Sequence, residues 1–538
     1  MNWLSHFIGN VSKASHSTIE MLCMETVPRV GDYVCAEYEG AGVVGRVSEV
    51  ILNRDSGESI AKANLFSSVE FDPAVVHSGV LHTPSIGDRV FFATTELIRA
   101  VAELGSNEHD QVSLDLCKLF GYDIPLSFSP ERLFGRHLAI VGTTGGGKSW
   151  SVARLVEECA KYQGKVILFD PSGEYSTLKK GVSHVSLGVG EVEPHITPVS
   201  LPYWELTEGD LFTIFRPSGE AQAPKLRAAI KSLKLAKLEP NLAPGGIILK
   251  AHRDKKEFNE AYGRHIAIIE GQGANFDVRK LAAQIHNECV NPQSSPVEPN
   301  IWGGPNGVDQ SLCATLISRV EDIVSNPQLA PIFRPEKDQH SLLAVIDAFI
   351  KEPRKQVLCV SLEHLSFAYG VRETVMNALG RRLLDRARKN YMVTKPTLVI
   401  VDEAHQFINS GSADDLNSFS LNSFSLIAKE GRKYGLTACL ATQRPRDIPE
   451  SVLSQMGTII IHRLTSENDV SLVEKASGSA SLDSIANVAT FSPGEGIVIG
   501  SDFPVPLLIQ MLPPSSRPVS RGSNYQEYWK GSSRVVSV

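Results

Sequence analysis

His137-Leu138-Ala139-Ile140-Val141-Gly142-Thr143-Thr144-Gly145-Gly146-Gly147-Lys148-Ser149 is the stretch that decides the fold. Residues 142–149 fit G-x-x-x-x-G-K-[ST], a pattern that signifies phosphate binding when an apolar strand precedes it and a helix follows. Both flanks are present: residues 137–141 read as a buried parallel strand, and Ser151 to Tyr162 carries Val152, Leu155, Val156 and Cys159 at helical spacing. Three consecutive glycines let the backbone curl with its N–H groups inward, a nest for phosphate oxygens that a side chain would obstruct. Lys148 supplies a point charge for the β- and γ-phosphates, Ser149 supplies a hydroxyl for Mg2+, and the helix N-terminus faces the same anion. The candidate nucleotide-binding set is Gly142, Thr143, Thr144, Gly145, Gly146, Gly147, Lys148, Ser149 and the adjoining Trp150.

Working outward, apolar strands alternate with helices. Lys165 to Asp170 is a second buried strand with an acid at its carboxyl end, where ligands gather in open α/β sheets. Val357–Leu362, Thr397–Val401, Thr437–Thr442 and Thr458–His462 read as further strands, with a long helix from Glu373 to Lys389. The fold class is α/β, with a mostly parallel, doubly wound sheet. Val401-Asp402-Glu403-Ala404-His405 closes one of these strands with two adjacent acids: Asp402 to hold Mg2+ through water, Glu403 to orient or deprotonate the attacking water. Gln443 ends a later strand, where an amide can sense the γ-phosphate, and Arg444-Pro445-Arg446 begins the loop after it. Arg432 is a candidate arginine finger, presented by a neighbouring subunit to transition-state charge. For a single Arg at a helix end, a solvated cation on the helix dipole is the competing reading.

Lys148 and Asp402 are 254 residues apart, whereas three or four βα units of ~30 residues need only about 100. The excess places a helical insertion at 190–350, with helices such as Lys225–Leu238 and Val308–Ser325. The expected division is a small β-barrel at 1–105, a core at 106–189 and 351–512, the insertion, and a C-terminal arm at 513–538. In the barrel, Val30-Gly31-Asp32-Tyr33-Val34 is echoed by Ile86-Gly87-Asp88-Arg89-Val90; two unrelated Gly-Asp turns would look the same. The Pro/Ser/Arg-rich arm, with Tyr525, Tyr528 and Trp529, reads as a segment that orders only against a partner or as a disordered end.

With 538 residues, 42% hydrophobic and 21% charged, the chain can bury large cores unaided. Its eight cysteines are scattered, without a zinc-type cluster or a disulfide framework, which argues for a reducing compartment. No apolar run approaches a membrane span and no signal-peptide pattern opens the chain, so the expectation is a cytoplasmic protein. A net charge of −7 removes any global electrostatic case for nucleic-acid binding and leaves only placed loops, gathered by oligomerisation.

Taken in order, these segments resemble the HerA-type hexameric ATPases of the HerA and FtsK superfamily, RecA-like DNA translocases. The resemblance runs from Ile8-Gly9-Asn10-Val11 and Gly31-Asp32-Tyr33-Val34 through Arg136 to Gly145. It continues through Asp170-Pro171-Ser172-Gly173-Glu174-Tyr175, Val401 to His405, Glu430-Gly431-Arg432-Lys433 and Ala441-Thr442-Gln443-Arg444-Pro445. It implies a RecA-like P-loop core, a homo-hexamer with ATP and Mg2+ at subunit interfaces, and double-stranded DNA in the central channel. Lys148, Asp402, Glu403, Gln443 and Arg432 take the roles given above, and Arg136 becomes a second interface contact to nucleotide.

Ser172 stands where the family has His. Leu416-Asn417-Ser418-Phe419-Ser420 is repeated at once as Leu421-Asn422-Ser423-Phe424-Ser425, where the family has the helix leading to Arg432, and Asn and Ser are poor helix residues. Such rings work with a nuclease in DNA end resection, or with an effector enzyme in bacterial antiphage systems. No effector signature is present, so the partner is a separate chain docked on the barrel, and the departures with the insertion favour the antiphage setting. Two alternatives stay open: an ATP-gated scaffold that activates a partner without moving DNA, and a conjugation-type ATPase, which the lack of membrane segments disfavours.

Overall fold

The computed structural model describes residues 3–53, 57–104, 112–191, 193–273, 275–408, 422–477, 488–519, 525 and 529. The first sheet comprises β1 (Leu4–Ala14), β2 (Thr18–Cys23), β3 (Tyr33–Tyr38), β4 (Ala41–Leu52), β5 (Ser59–Phe71), β6 (Ala74–Ser78) and β7 (Arg89–Ala93). Its order is β2-β1-β7-β3-β4-β5-β6, and β2 also pairs with β5, so the pairings of six strands return on themselves. The sequence echo is one turn built twice. Gly31 and Gly87 have φ of 101° and 97°, and in each turn the aspartate accepts a backbone N–H three residues upstream, from Arg29 at 2.8 Å and from Ser85 at 2.7 Å. The strands that follow the two turns, β3 and β7, pair with each other.

The second sheet comprises β8 (Leu114–Leu119), β9 (Pro125–Phe128), β10 (Leu138–Val141), β11 (Lys165–Asp170), β12 (Val182–Leu187), β13 (Ile196–Val199), β14 (Val357–Ser361), β15 (Thr397–Val401), β16 (Leu436–Thr442), β17 (Thr458–Ile461), β18 (Glu495–Gly500) and β19 (Phe503–Met511). Their order is β13-β12-β14-β11-β15-β16-β10-β17-β18-β19-β8-β9. From β13 to β17 every pairing is parallel; from β17 to β9 every pairing is antiparallel. The central parallel strands β10 (LAIV), β11 (KVILFD) and β15 (TLVIV) are buried at every position, because both of their faces are covered.

The chain between β13 and β14 is helical, chiefly Glu208–Phe215, Gly219–Leu238, Leu281–Glu288, Gly307–Ser325 and Leu342–Lys351. Phe212, Leu226, Ile285, Leu316 and Ile346 of these helices share one apolar cluster with Val360 and Val399 of the sheet.

The start of the C-terminal arm departs from its expected behaviour. Leu512–Val519 lies on its own chain rather than awaiting a partner: the Leu512 N–H donates to the Leu116 carbonyl at 2.9 Å, and the Glu157 carboxylate accepts the N–H groups of Ser515 and Ser516, each at 2.8 Å. Tyr528 and the rest of the arm, Tyr525 and Trp529 excepted, lie outside the described residues, as do Leu416–Ser420 and Leu421 of the tandem repeat. From Ser423 to Glu430 the chain is helical despite its serines, with Phe424 and Ile427 buried. That helix leads directly into the turn carrying Arg432. Among the described residues no helix is long and apolar enough to cross a membrane.

Candidate nucleotide site

Strand order places the site. β16 lies between β10 and β15, and in the parallel register Val141 stands beside Thr442, and Leu440 beside Val401. The carboxyl ends of these three strands therefore deliver the Gly142–Gly147 loop, Gln443, and Asp402 with Glu403, side by side. The loop turns into a helix, Lys148–Cys159, through Gly147 at φ 117°, a conformation a side chain would resist. Gly142 is needed for proximity: a Cβ there would stand 2.7 Å from the His462 Cβ.

Lys148 is buried, and its ammonium donates to Asp402 Oδ1 at 2.5 Å and lies 3.1 Å from Glu403 Oε1. Burial alone would depress the lysine's pKa, but the charges of Asp402 and Glu403 outweigh it and push it up. Tyr175, also buried, donates its hydroxyl to Asp402 Oδ2 at 3.0 Å. Glu403 adopts the left-handed region at φ 46°, where its N–H donates to Asp402 Oδ1 at 2.9 Å. Gln443 bridges the two halves: its oxygen accepts the Thr144 hydroxyl at 2.5 Å and its NH2 donates to Glu403 Oε1 at 2.6 Å. The other oxygen, Glu403 Oε2, is buried and makes no hydrogen bond, with His405 Nδ1 3.4 Å away.

A loop from the neighbouring strand β11 completes the floor. Asp170 accepts backbone N–H groups of Gly173 at 2.8 Å and Tyr175 at 3.0 Å, fixing the 170–175 turn. Burial, opposed by those N–H groups and reinforced by Asp402, pushes the Asp170 carboxyl up to about 7. The same turn places Glu174 near Ser149, Lys148 and Asp402. The Glu174 carboxyl is raised, by burial first, with the nearby Ser149 hydroxyl opposing. Among the described residues no group of three or more His, Cys, Asp or Glu is placed to hold a metal.

Arg136 and Arg432 are elsewhere. They line one cavity of about 600 Å³ together with Lys429 and Lys433. His137 and Gly457, which precede β10 and β17, and Gly500, which ends the antiparallel β18, also line it. This is the amino-terminal end of the parallel strands, opposite the phosphate loop. Four residues of β10 separate the two ends, roughly 13 Å of strand. Both guanidinium groups are exposed, and Arg136 donates to Ser501 Oγ at 3.0 Å.

A family model described as "Helicase HerA, central domain" matches residues 114–268. A probable helicase of Methanocaldococcus jannaschii is 24% identical, covering 94% of this chain and 90% of its own length. A DNA double-strand break repair helicase HerA of Sulfurisphaera tokodaii is 24% identical, covering 97% of this chain and 96% of its own length. Over most of its length the chain is similar to HerA-type helicases. Its enzyme class is that of an ATP hydrolase of the helicase or translocase type. Among solved structures, VirB4 of Thermoanaerobacter pseudethanolicus matches 78% of this chain and 100% of its own, with 14% identity and a TM-score of 0.47.

One buried group at the site was not anticipated. His462 follows β17, next to the phosphate-loop strand. Its Nδ1–H donates to the Glu495 carbonyl at 2.8 Å, and its Nε2 accepts the Ser151 hydroxyl of the phosphate-loop helix at 2.7 Å. Complete burial pushes its pKa down to about 4, so the ring is neutral. The available signal was positional: a polar residue at the carboxyl end of a strand adjoining the phosphate-loop strand.

Proposed function

We propose that the chain is an ATP-driven translocase of double-stranded DNA, working as a homo-hexameric ring with nucleotide at its subunit interfaces. The observation that carries this reading is the hydrogen-bonded series Thr144–Gln443–Glu403, with Lys148 and Asp402 beside it.

In this reading the loop N–H groups and Lys148 hold the β- and γ-phosphates. Ser149 and Asp402 would hold Mg2+. Both are hard oxygen donors suited to that ion. When bound, the ion neutralises charge on the transferring phosphoryl group. Glu403 Oε2, buried without a hydrogen bond, is the lone-pair site that accepts a proton from the attacking water. Gln443 fixes the other oxygen and, through Thr144, links the γ-phosphate position to the exposed Arg444 and Arg446 that follow it. Arg432 and Arg136 serve a neighbour's nucleotide, because they lie at the far end of β10 from their own phosphate loop.

The closed circuit of six strands supports reading residues 1–105 as a barrel. We read it as the seat of a separate effector or nuclease chain, in antiphage defence. Cells carrying the wild-type chain and its partner should resist phage; cells carrying Glu403→Gln should not.

The biochemical test is ATP hydrolysis with and without double-stranded DNA, beside Lys148→Ala and Glu403→Gln, with mass followed by light scattering. DNA-stimulated turnover in a six-subunit particle, lost in both variants, is the expected result. Low turnover indifferent to DNA would replace the motor with an ATP-gated scaffold.

A further inference from the structure

The start of the C-terminal arm crosses the lip of the phosphate loop and is fastened there at several points. Glu157, on the outer face of the phosphate-loop helix, accepts the Ser515 and Ser516 N–H groups and, at 2.7 Å, the Ser515 hydroxyl. Two residues on, the Thr177 hydroxyl donates to the Arg517 carbonyl at 2.8 Å. The Val519 N–H then donates to the Glu174 carbonyl at 2.8 Å. A segment held this way has its side chains aimed by its backbone. The Arg517 guanidinium stands over the Trp150 indole at 5.7 Å from the ring centroid. Trp150 directly follows Ser149 and keeps 37% of its surface exposed. Arg517 is exposed and has no carboxylate within ion-pair distance among the described residues.

An exposed indole beside a phosphate nest, under a cation without a carboxylate partner among the described residues, calls for an explanation. A core role is excluded by exposure. A direct Arg–Trp contact for stability is a poor fit, because 5.7 Å is near the outer limit for cation–π attraction. The spacing is instead close to what one flat ring needs: two faces each in contact at about 3.5 Å would set guanidinium and indole about 7 Å apart, slightly more than is present. The backbone N–H groups of a loop of this kind cradle the α- and β-phosphates, and Trp150 directly follows that loop, within reach of the base such a nucleotide carries.

We propose that Trp150 and Arg517 form a nucleobase clamp, in which the base of the bound nucleotide slides between indole and guanidinium as the strap from Ser515 to Val519 lifts by about 1 Å. This rests on the reading of the phosphate loop as a nucleotide site. The clamp reads a π-face rather than hydrogen-bonding edges, so it holds ATP and GTP alike.

The test separates the clamp from the loop by comparing ATP with inorganic tripolyphosphate, which has the phosphates and no base. Calorimetric titration of both ligands uses wild type, Arg517→Ala, Trp150→Leu, Trp150→Phe and Lys148→Ala in the full chain. Arg517→Ala and Trp150→Leu are expected to weaken ATP about tenfold and to leave tripolyphosphate at wild-type affinity, with Trp150→Phe recovering most of the loss. ATP affinity unchanged in both variants would overturn the clamp. Equal weakening of ATP and tripolyphosphate would also overturn it, and would make the strap a support for the loop. Failure of the wild type to bind either ligand any better than Lys148→Ala would remove the nucleotide reading itself, and the clamp with it.

Discussion

The NH2 group of Gln443 donates to Glu403 Oε1 at 2.6 Å while its oxygen accepts from Thr144, so a single amide spans the gap between the phosphate loop and the acid proposed as base. The span is possible because β16 separates β10 from β15. Removing that donor frees Glu403 to rotate about its side chain. Gln443→Ala is expected to lower the hydrolysis rate about 100-fold, to abolish stimulation by DNA, and to leave ATP affinity within about threefold of wild type. Steady-state phosphate release beside equilibrium nucleotide titration checks it.

Glu403→Gln keeps the size of the side chain and removes its basicity. The expected loss in hydrolysis is about 100- to 10,000-fold, the range for a general base, with ATP still bound. A single-turnover assay on pre-loaded protein distinguishes this from impaired binding.

Much of this site was legible in the chain, for a definite reason. Phosphate loops, paired acids and strand-end amides are local patterns, and the strands that carry them are almost wholly buried and so read as short apolar runs. Strand adjacency is a long-range property. That Gln443 would lie between Thr144 and Glu403 depended on β16 entering between β10 and β15, which no local pattern encodes. Nor does any local pattern reveal that Ile509 pairs with Leu119. The strap was misread because proline, serine and arginine predict disorder by composition, whereas its order comes from Glu157, Thr177 and Glu174 on elements far away in sequence. The repeated Gly-Asp turn, in contrast, was visible and proved to be the same hydrogen-bonded turn.

Tyr175 is buried, and its hydroxyl is the partner of Asp402 Oδ2. Tyr175→Phe leaves a buried carboxylate oxygen short of a donor, at a cost of about 1–3 kcal/mol. The variant should melt several degrees lower than wild type and require more Mg2+ for half-maximal nucleotide binding. Thermal unfolding and a Mg2+ titration of nucleotide binding check the two effects separately.

His462 gives the fold an acid sensitivity of predictable sign. Its pKa is pushed down from 6.5 to about 4 by burial. Above pH 6.5 the ring is neutral in folded and unfolded chains alike, and it adds no pH dependence. Between pH 6.5 and 4 the unfolded chain takes up a proton that the fold refuses, so stability falls by up to roughly 3 kcal/mol and levels off below pH 4. His462→Gln, which cannot titrate, should show a shallower decline over that window whatever its stability at pH 8. Denaturant unfolding of both proteins across pH 4–8 measures the difference in slope.

Arg432 and the phosphate loop occupy opposite ends of β10, so an arginine finger here must act in trans. Lys148→Ala supplies an intact Arg432 with a dead loop, and Arg432→Ala supplies an intact loop without the finger. Each alone should be inactive, the second by about 1,000-fold or more. In the proposed ring, mixing the two variants restores interfaces in which the loop of one faces the finger of the other, and hydrolysis should return as the two are titrated together, peaking near equal amounts. Activity that merely followed the sum of the separate proteins would show that Arg432 serves no neighbouring site, and the solvated-cation reading of that residue would take its place.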